Sequence, residues 1–190
     1  MGLQKTTLEY LDNFIIDKFG SHRNLNMIEL GNQIIRNLNT TAKEYFFNLG
    51  VNHTSIDINN KDGAIPLNLC EIINDDKIQQ CDILTNCGTT EHVRNQYICF
   101  KNIHNFVKKG GYFFHLVPPP IKNFIGHCSI YYTLNFFEDL ALKNKYEIIE
   151  NRLYPYTQTK KNLLLCIMQK EEENTFVPKN NWTPPIKMLF

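Results

Sequence analysis

The chain has 190 residues, 43% of them hydrophobic, and a formal net charge of +1. That length supports one domain with a substantial core, and the near-neutral balance excludes a global electrostatic footprint for nucleic acid. No apolar run approaches ~18 residues, so no segment is expected to span a membrane.

Taken in order, Thr6-Thr7-Leu8-Glu9 can form a capping box. Leu8, Leu11, Phe14, Ile15 and Phe19 then recur at helical spacing, and Gly20 ends that helix. A strand is expected over roughly 26–30. After Gly31, the apolar positions Ile34, Ile35, Leu38, Ala42, Tyr45, Phe46 and Leu49 keep a helical rhythm closed by Gly50. A second strand covers roughly 53–58. Ile65–Leu69 reads as a short third strand or its exit, and 70–79 as a weak helix.

Asp82–Asn86 has the continuous apolar character of a buried strand and stops at Gly88. Thr89 or Thr90 is expected to cap a helix carrying Val93, Tyr97, Cys99, Phe100, Ile103, Phe106 and Val107, ended by Gly110-Gly111. Tyr112–Val117 is the next strand, stopped by Pro118, Pro119 and Pro120. Residues 118–132 form a loop, followed by a helix at about 134–144. Tyr146–Tyr154 and Leu163–Met168 are strands with no helix between them, which predicts an antiparallel hairpin at one sheet edge. Residues 1–170 read as one α/β domain, and 171–190, with Pro178, Pro184 and Pro185, as an extended arm.

Six cysteines (Cys70, Cys81, Cys87, Cys99, Cys128, Cys166) are scattered without a C-x-x-C pair. They read as reduced thiols, and with no secretory signal the expected location is cytoplasmic. No clustered Cys and His ligands are visible, so no metal is expected.

Two acidic residues carry the most information. Asn26-Met27-Ile28-Glu29-Leu30-Gly31 and His53-Thr54-Ser55-Ile56-Asp57-Ile58-Asn59 are strand-like runs one helix apart. In an open α/β sheet, ligands bind outside the carboxyl ends of the strands. A carboxylate at the second strand end can accept both hydroxyl hydrogens of a ribose, so the pair points to a nucleoside-containing ligand.

This alternation of strands and helices, closed by an antiparallel hairpin, resembles the class I S-adenosylmethionine-dependent methyltransferases over roughly residues 25–170. The resemblance implies a Rossmann-like, seven-stranded, mostly parallel sheet with an antiparallel last strand and helices on both faces, with S-adenosyl-L-methionine as cofactor. Glu29-Leu30-Gly31-Asn32-Gln33 is similar to the family's E/D-x-G-x-G turn, with Gln33 in place of the second glycine. By resemblance, Gly31 lets the backbone approach the methionine portion, Glu29 orients its amino group, and Asn32 stands in a turn where asparagine tolerates positive φ. Asp57, with Ile58, holds the ribose, and Asn68 faces the adenine amine.

Thr85–Val93, which includes Asn86 and Gly88, is similar to a segment common in uncharacterised bacterial and phage methyltransferase-like proteins. Lys108-Lys109-Gly110-Gly111 is similar to the family's approach to strand five, with Lys109 replacing a proline.

Methyl transfer from a sulfonium needs mainly positioning of the acceptor. A general base is needed only if the acceptor arrives protonated. Glu91 and His92 after the fourth strand, and His127 with Tyr131 in the loop after the fifth, are the candidates. His104 and His115 read as packed side chains. Val117–Pro120 is similar to the proline motif of amino-methylating nucleic-acid enzymes, but it follows the wrong strand and reads as a rigid strand exit.

The expected activity is methyl transfer to a small molecule, a sugar or other metabolite. The acceptor pocket would be built from the N-terminal helix, the 118–132 loop and the tail. A non-catalytic methyltransferase-like binding or partner protein is the alternative. A nicotinamide oxidoreductase would require G-x-G-x-x-G, which is missing after Gly31.

Overall fold

The computed structural model describes residues 3–35, 37–74, 78–121, 124, 126–156 and 161–187. In chain order the elements are α1 (Lys5–Phe19), β1 (Asn26–Leu30), β2 (Ile34–Ile35), β3 (Thr40–Thr41), α2 (Ala42–Asn48), β4 (Asn52–Ile56), β5 (Cys81–Cys87), a 3-10 turn (Thr90–His92), α3 (Gln96–Phe106), β6 (Val107–Val117), β7 (Ile130–Tyr131), α4 (Leu134–Asn144), β8 (Tyr146–Tyr156), β9 (Lys161–Lys170) and β10 (Ile186–Lys187).

The central sheet has six strands in the order β4-β1-β5-β6-β9-β8. β4, β1, β5 and β6 run parallel, while β9 is antiparallel to both its neighbours, β6 and β8. β9 is therefore the one reversed strand of this sheet, as the hairpin pattern predicts. The seventh strand expected beyond β4 is reduced to a single parallel bridge, Ile56 to Ile65. Ile65 donates to the Ser55 carbonyl and accepts from the Asp57 N–H, but Leu67 turns its N–H back onto the Ile65 carbonyl. Pro66 has no N–H to offer, so the ladder stops there.

Side chains alternate across the sheet and fill two layers. Ile28, Leu30, Leu84, Phe113, Leu164 and Cys166 face α3 and α4, where Phe100, Ile103, Phe137 and Leu140 pack against them. Met27, Ile83, Phe114, Leu116, Leu165 and Ile167 face α1 and α2, meeting Leu11, Phe14, Ile15 and Phe46. β5 is buried on both faces along most of its length, which explains its unbroken apolar run.

Four local expectations are corrected. The α1 cap is Gln4, without a side-chain bond, and Thr6 lies inside the helix. The helix expected from residue 34 begins only at Ala42. Ile34 and Leu38 are half exposed, Asn39 has positive φ, and residues 34–35 and 40–41 pair as a small antiparallel ribbon. The β-branched Thr40-Thr41 pair suits a strand, and Thr41 then caps α2 by accepting from the Glu44 N–H.

The helix expected from Thr89 or Thr90 starts instead at Gln96, capped by the Asn95 side chain, after the 3-10 turn. It ends at Phe106, and the chain passes straight into β6. Gly110 and Gly111 therefore lie in a strand, where a Cβ on Gly111 would meet the Asp82 and Cys81 carbonyls at 3.0 Å. The weak helix expected over 70–79 does not form in its described part, and residues 75–77 lie outside the described residues. α4, by contrast, has the bounds that the apolar spacing predicts.

Residues 171–187, extended except for a 3-10 turn at Lys179–Asn181, pack back on the α3/α4 layer. Phe176 and Val177 are buried, and Trp182 contacts Phe100, Phe136 and Tyr97. His104 donates to the Asn174 carbonyl at 2.7 Å and accepts from the Tyr146 hydroxyl at 2.6 Å, and burial pushes its pKa down to about 4. It is a neutral packing residue. β10 pairs with β7, which ties the arm to the loop after β6. Lys170, also buried, donates to the His104 and Val107 carbonyls at the end of α3.

Candidate active site

At the carboxyl ends of β1, β4 and β5 the chain makes three turns, and the cleft between them measures about 390 Å³. The first turn leaves β1 through Gly31, whose φ is +85°. Its N–H donates to the Ile56 carbonyl at 2.8 Å, which holds the turn against β4. A Cβ at this position would lie 2.5 Å from Thr89 Oγ1 and 2.9 Å from Gln33 Nε2. Only glycine satisfies both the conformation and the close approach. Asn32 and Gln33 have no positive φ, so replacing the family's second glycine by Gln33 costs the backbone nothing here. The tolerance of asparagine for positive φ is not used.

The second turn leaves β4 through Asp57. Its Oδ2 accepts from the Asn32 N–H and its Oδ1 from the Asn59 N–H, both at 2.9 Å. One carboxylate thus joins the two turns. It is only half buried and lines the cleft. Ile58, beside it, is 72% exposed, an apolar surface waiting for cover. Further along this edge, Asn68 accepts from the Cys70 N–H and donates to Glu71 Oε1, between Leu67 and Leu69.

The third turn leaves β5. Gly88 has φ +80°, and Thr89 donates its hydroxyl to the Leu30 carbonyl at 2.7 Å, locking this turn to the first. Gly31, Asn32, Asp57, Ile58, Asn68, Gly88 and His92 all line the one cleft. Leu69, Thr89 and Val93 line it too. By their local pattern those three are strand, cap and helix-face residues. Their position directly after Asn68, Gly88 and His92 is the signal that could have found them.

Glu29, Asn86, Glu91 and His127 lie outside the cleft lining. Glu29 is buried, and its Oε2 accepts from Ser55 Oγ at 3.0 Å and from the Gln33 N–H at 3.4 Å. It supports the Gly31 turn from beneath. Asn86 is fully buried. It donates to Thr90 Oγ1 and His115 Nδ1 and accepts from the Thr89 and Thr90 N–H groups, so it organises the third turn from inside. Tyr131 and Tyr132 are also fully buried. Tyr131 donates to the Phe124 and Cys128 carbonyls, and the Tyr132 hydroxyl bonds Thr90 and Gln96. Both brace the loop after β6.

Glu91, His92 and His127 come together at the cleft's edge. Glu91 Oε1 lies 3.9 Å from His92 Nε2 and 4.0 Å from His127 Nε2, and the two imidazole rings stand edge to face with centroids 5.2 Å apart. The histidines are partly exposed, while the Glu91 side chain has no exposure at all. Burial pushes the Glu91 carboxyl up to about 7 and, with the neighbouring His127, pulls His92 down.

Burial also raises the Glu29 carboxyl to about 8. Its folded pKa exceeds the unfolded value of 4.5, so the folded state binds more protons between those limits and stability falls as pH rises through them. The melting temperature is therefore expected to drop between pH 5 and pH 8. The underlying loss of stability from this group, on the order of 3 kcal/mol at pH 7 for a shift of this size, should vanish in Glu29→Gln, which shrinks the fall in melting temperature. Thermal melts of both proteins across this range check it; equal drops in both would refute it.

No family model matches the chain, and no curated protein matches it in sequence. Solved structures do match in shape. A 1,6-didemethyltoxoflavin-N1-methyltransferase from Burkholderia thailandensis, solved with S-adenosylhomocysteine, superposes with a TM-score of 0.63 at 12% identity, over 87% of this chain and 78% of that one. The N-methyltransferase NodS from Bradyrhizobium japonicum WM9, also with S-adenosylhomocysteine, gives 0.62 at 10% identity, over 89% of each chain. A geranyl diphosphate C-methyltransferase from Streptomyces coelicolor A3(2) gives 0.59 at 11% identity, over 87% of this chain and 81% of that one.

The fold is that of the class I S-adenosylmethionine-dependent methyltransferases.

Within this methyltransferase fold, the cleft between β1, β4 and β5 lies at the carboxyl ends of parallel strands, where open α/β sheets bind their ligands. Among the described residues no helix is long and apolar enough to cross a membrane.

Proposed function

We propose that the protein binds S-adenosylmethionine in this cleft and transfers its methyl group to a small-molecule acceptor, a sugar or other metabolite. The observation that carries the reading is the Gly31–Asp57 junction. A close-approach glycine turn and an outward carboxylate sit on neighbouring parallel strands and line one cleft. Three structural neighbours of the same fold are methyltransferases, solved with S-adenosylhomocysteine. The compounds bound in two of them, 1,6-didemethyltoxoflavin and geranyl diphosphate, are small molecules.

The residues fit the cofactor. Asp57 offers its remaining lone pairs to the two ribose hydroxyls, and charge-assisted bonds of this kind are the stronger ones. Ile58, Leu69 and Val93 supply apolar surface for a flat base, with the Asn68 amide oxygen beside it to accept from an exocyclic amine. Gly31, Asn32 and Gly88 bring bare backbone close to the rest of the ligand. Glu29 acts from below, holding the Gln33 N–H and so the turn's shape. When bound, the cofactor supplies a methyl group already activated on a sulfonium. The chain's own work is then orientation, which can lower a barrier by about 7–11 kcal/mol, and handling of the acceptor's proton. The cluster of Glu91, His92 and His127 at the cleft's edge suits that second task.

Isothermal titration with S-adenosylhomocysteine tests the reading. Saturable binding in the micromolar range is expected. No binding at millimolar ligand would overturn it in favour of a methyltransferase-like fold without the activity. Transfer of radiolabelled methyl from S-adenosylmethionine to a fractionated metabolite pool then identifies the acceptor class.

A further inference from the structure

We propose that Glu91, His92 and His127 form a binding site for one divalent transition-metal ion of the zinc or manganese class, facing the acceptor side of the cleft. Their ligand atoms, one carboxylate oxygen and one ring nitrogen from each histidine, all lie within 4.8 Å of one another. Ligand atoms each about 2.0–2.2 Å from a common tetrahedral ion lie roughly 3.3–3.6 Å apart. The 3.9 and 4.0 Å separations from Glu91 Oε1 exceed that spacing by roughly half an ångström. Closing the cluster on an ion takes relative shifts of roughly 0.5–1.5 Å between ligand atoms, supplied by rotation of the partly exposed imidazoles.

The independent observation is the state of Glu91. Its side chain has no exposure, and neither carboxylate oxygen has a hydrogen-bond partner. A buried carboxylate is normally paired, hydrogen-bonded or bound to a metal. Glu91 Oε1 lies 3.9 and 4.0 Å from the two imidazole nitrogens, too long for a hydrogen bond and suited to a shared ion. Two histidines and one carboxylate are a donor set typical of zinc and of open non-haem sites, with positions left for an exogenous ligand.

His92 belongs both to this cluster and to the cleft lining, so the open positions lie beside the space where an acceptor would enter. The site selects an acceptor with an oxygen donor, a hydroxyl or carboxylate. A hydroxyl bound there is more acidic and releases its proton to water. The three residues then work as ligands, replacing a free general base. This role rests on the methyl-transfer reading; the metal site itself does not.

The test uses the full chain, freed of any histidine tag and stripped with chelator. Zinc chloride and manganese chloride are titrated calorimetrically, and cobalt(II) is followed by its visible absorption. One ion per chain is expected, with affinity falling in His127→Ala and in His92→Ala by at least about 10–100-fold, the loss typical of even an outer-shell partner. Both positions are partly exposed and lie outside the core, so the variants should fold, and circular dichroism checks that they do. Glu91→Gln should lose the cobalt spectrum. Absence of binding by the wild-type protein at millimolar metal, or binding unchanged in the folded variants, overturns the site. Titrating S-adenosylhomocysteine into the same samples separates the two readings: nucleoside binding without metal binding removes only the metal site, and the reverse removes only the methyl-transfer reading.

Discussion

Gly31→Ala is expected to lower S-adenosylhomocysteine affinity by about 100-fold or more and to destabilise the fold by about 2–4 kcal/mol. The left-handed backbone at φ +85° costs a side-chain-bearing residue roughly 1–2 kcal/mol. The added methyl would also sit 2.5 Å from Thr89 Oγ1. That hydroxyl cannot yield without giving up its bond to the Leu30 carbonyl, a loss of about 1–3 kcal/mol if the carbonyl is left unsatisfied. Gln33, the other near neighbour, ends in a flexible amide and can move. The first and third turns would therefore be pushed apart where backbone must approach the ligand. Thermal melts and calorimetry measure both effects. Combining Gly31→Ala with Thr89→Ala relieves the contact and should recover part of the stability. Full wild-type affinity in the single variant would exclude close backbone approach at Gly31.

Asp57→Ala should reduce S-adenosylhomocysteine affinity by about 10–100-fold, corresponding to one or two hydrogen bonds to a charged group, while the protein remains folded. Asp57 is only half buried, and the N–H groups of Asn32 and Asn59 that it receives lie in turns open to solvent. Asp57→Asn keeps one acceptor oxygen and should fall between the two. A titration in which Asp57→Ala binds like the wild type would remove this residue from the nucleoside site, whatever the fold.

Much of the architecture was legible because local and tertiary demands agree. In α4, Leu134, Phe137, Leu140 and Ala141 recur at helical spacing, Thr133 provides a cap, and Lys145 adopts the left-handed conformation after the last turn. In β8 and β9 the two strands follow one another with no room for a helix, so an antiparallel pair was the available solution. Residues 34–41 were misread for the opposite reason. Their apolar positions fit a helix, but Ile34 and Leu38 stay largely exposed, and the β-branched threonines took the ribbon. The start of α3 was displaced because the Asn86 side chain gathers the Thr89 and Thr90 N–H groups into a separate turn, a contact that no local pattern announces.

The sequence alone determined the chain order of the six strands of the central sheet, the reversed strand, and the placing of Gly31 and Asp57 at neighbouring strand ends. Each of these follows from periodicity and turn chemistry acting over a few residues. Only the tertiary structure decided which acids face the ligand and which lie beneath it. Glu29 and Asp57 look alike as strand-end carboxylates, yet burial takes the first into the scaffold and leaves the second at the cleft. It also decided that His127 meets Glu91 and His92, because the loop after β6 folds back over the turn after β5. Such a meeting depends on how the chain packs at long range, and the residues' spacing along the chain carries no trace of it.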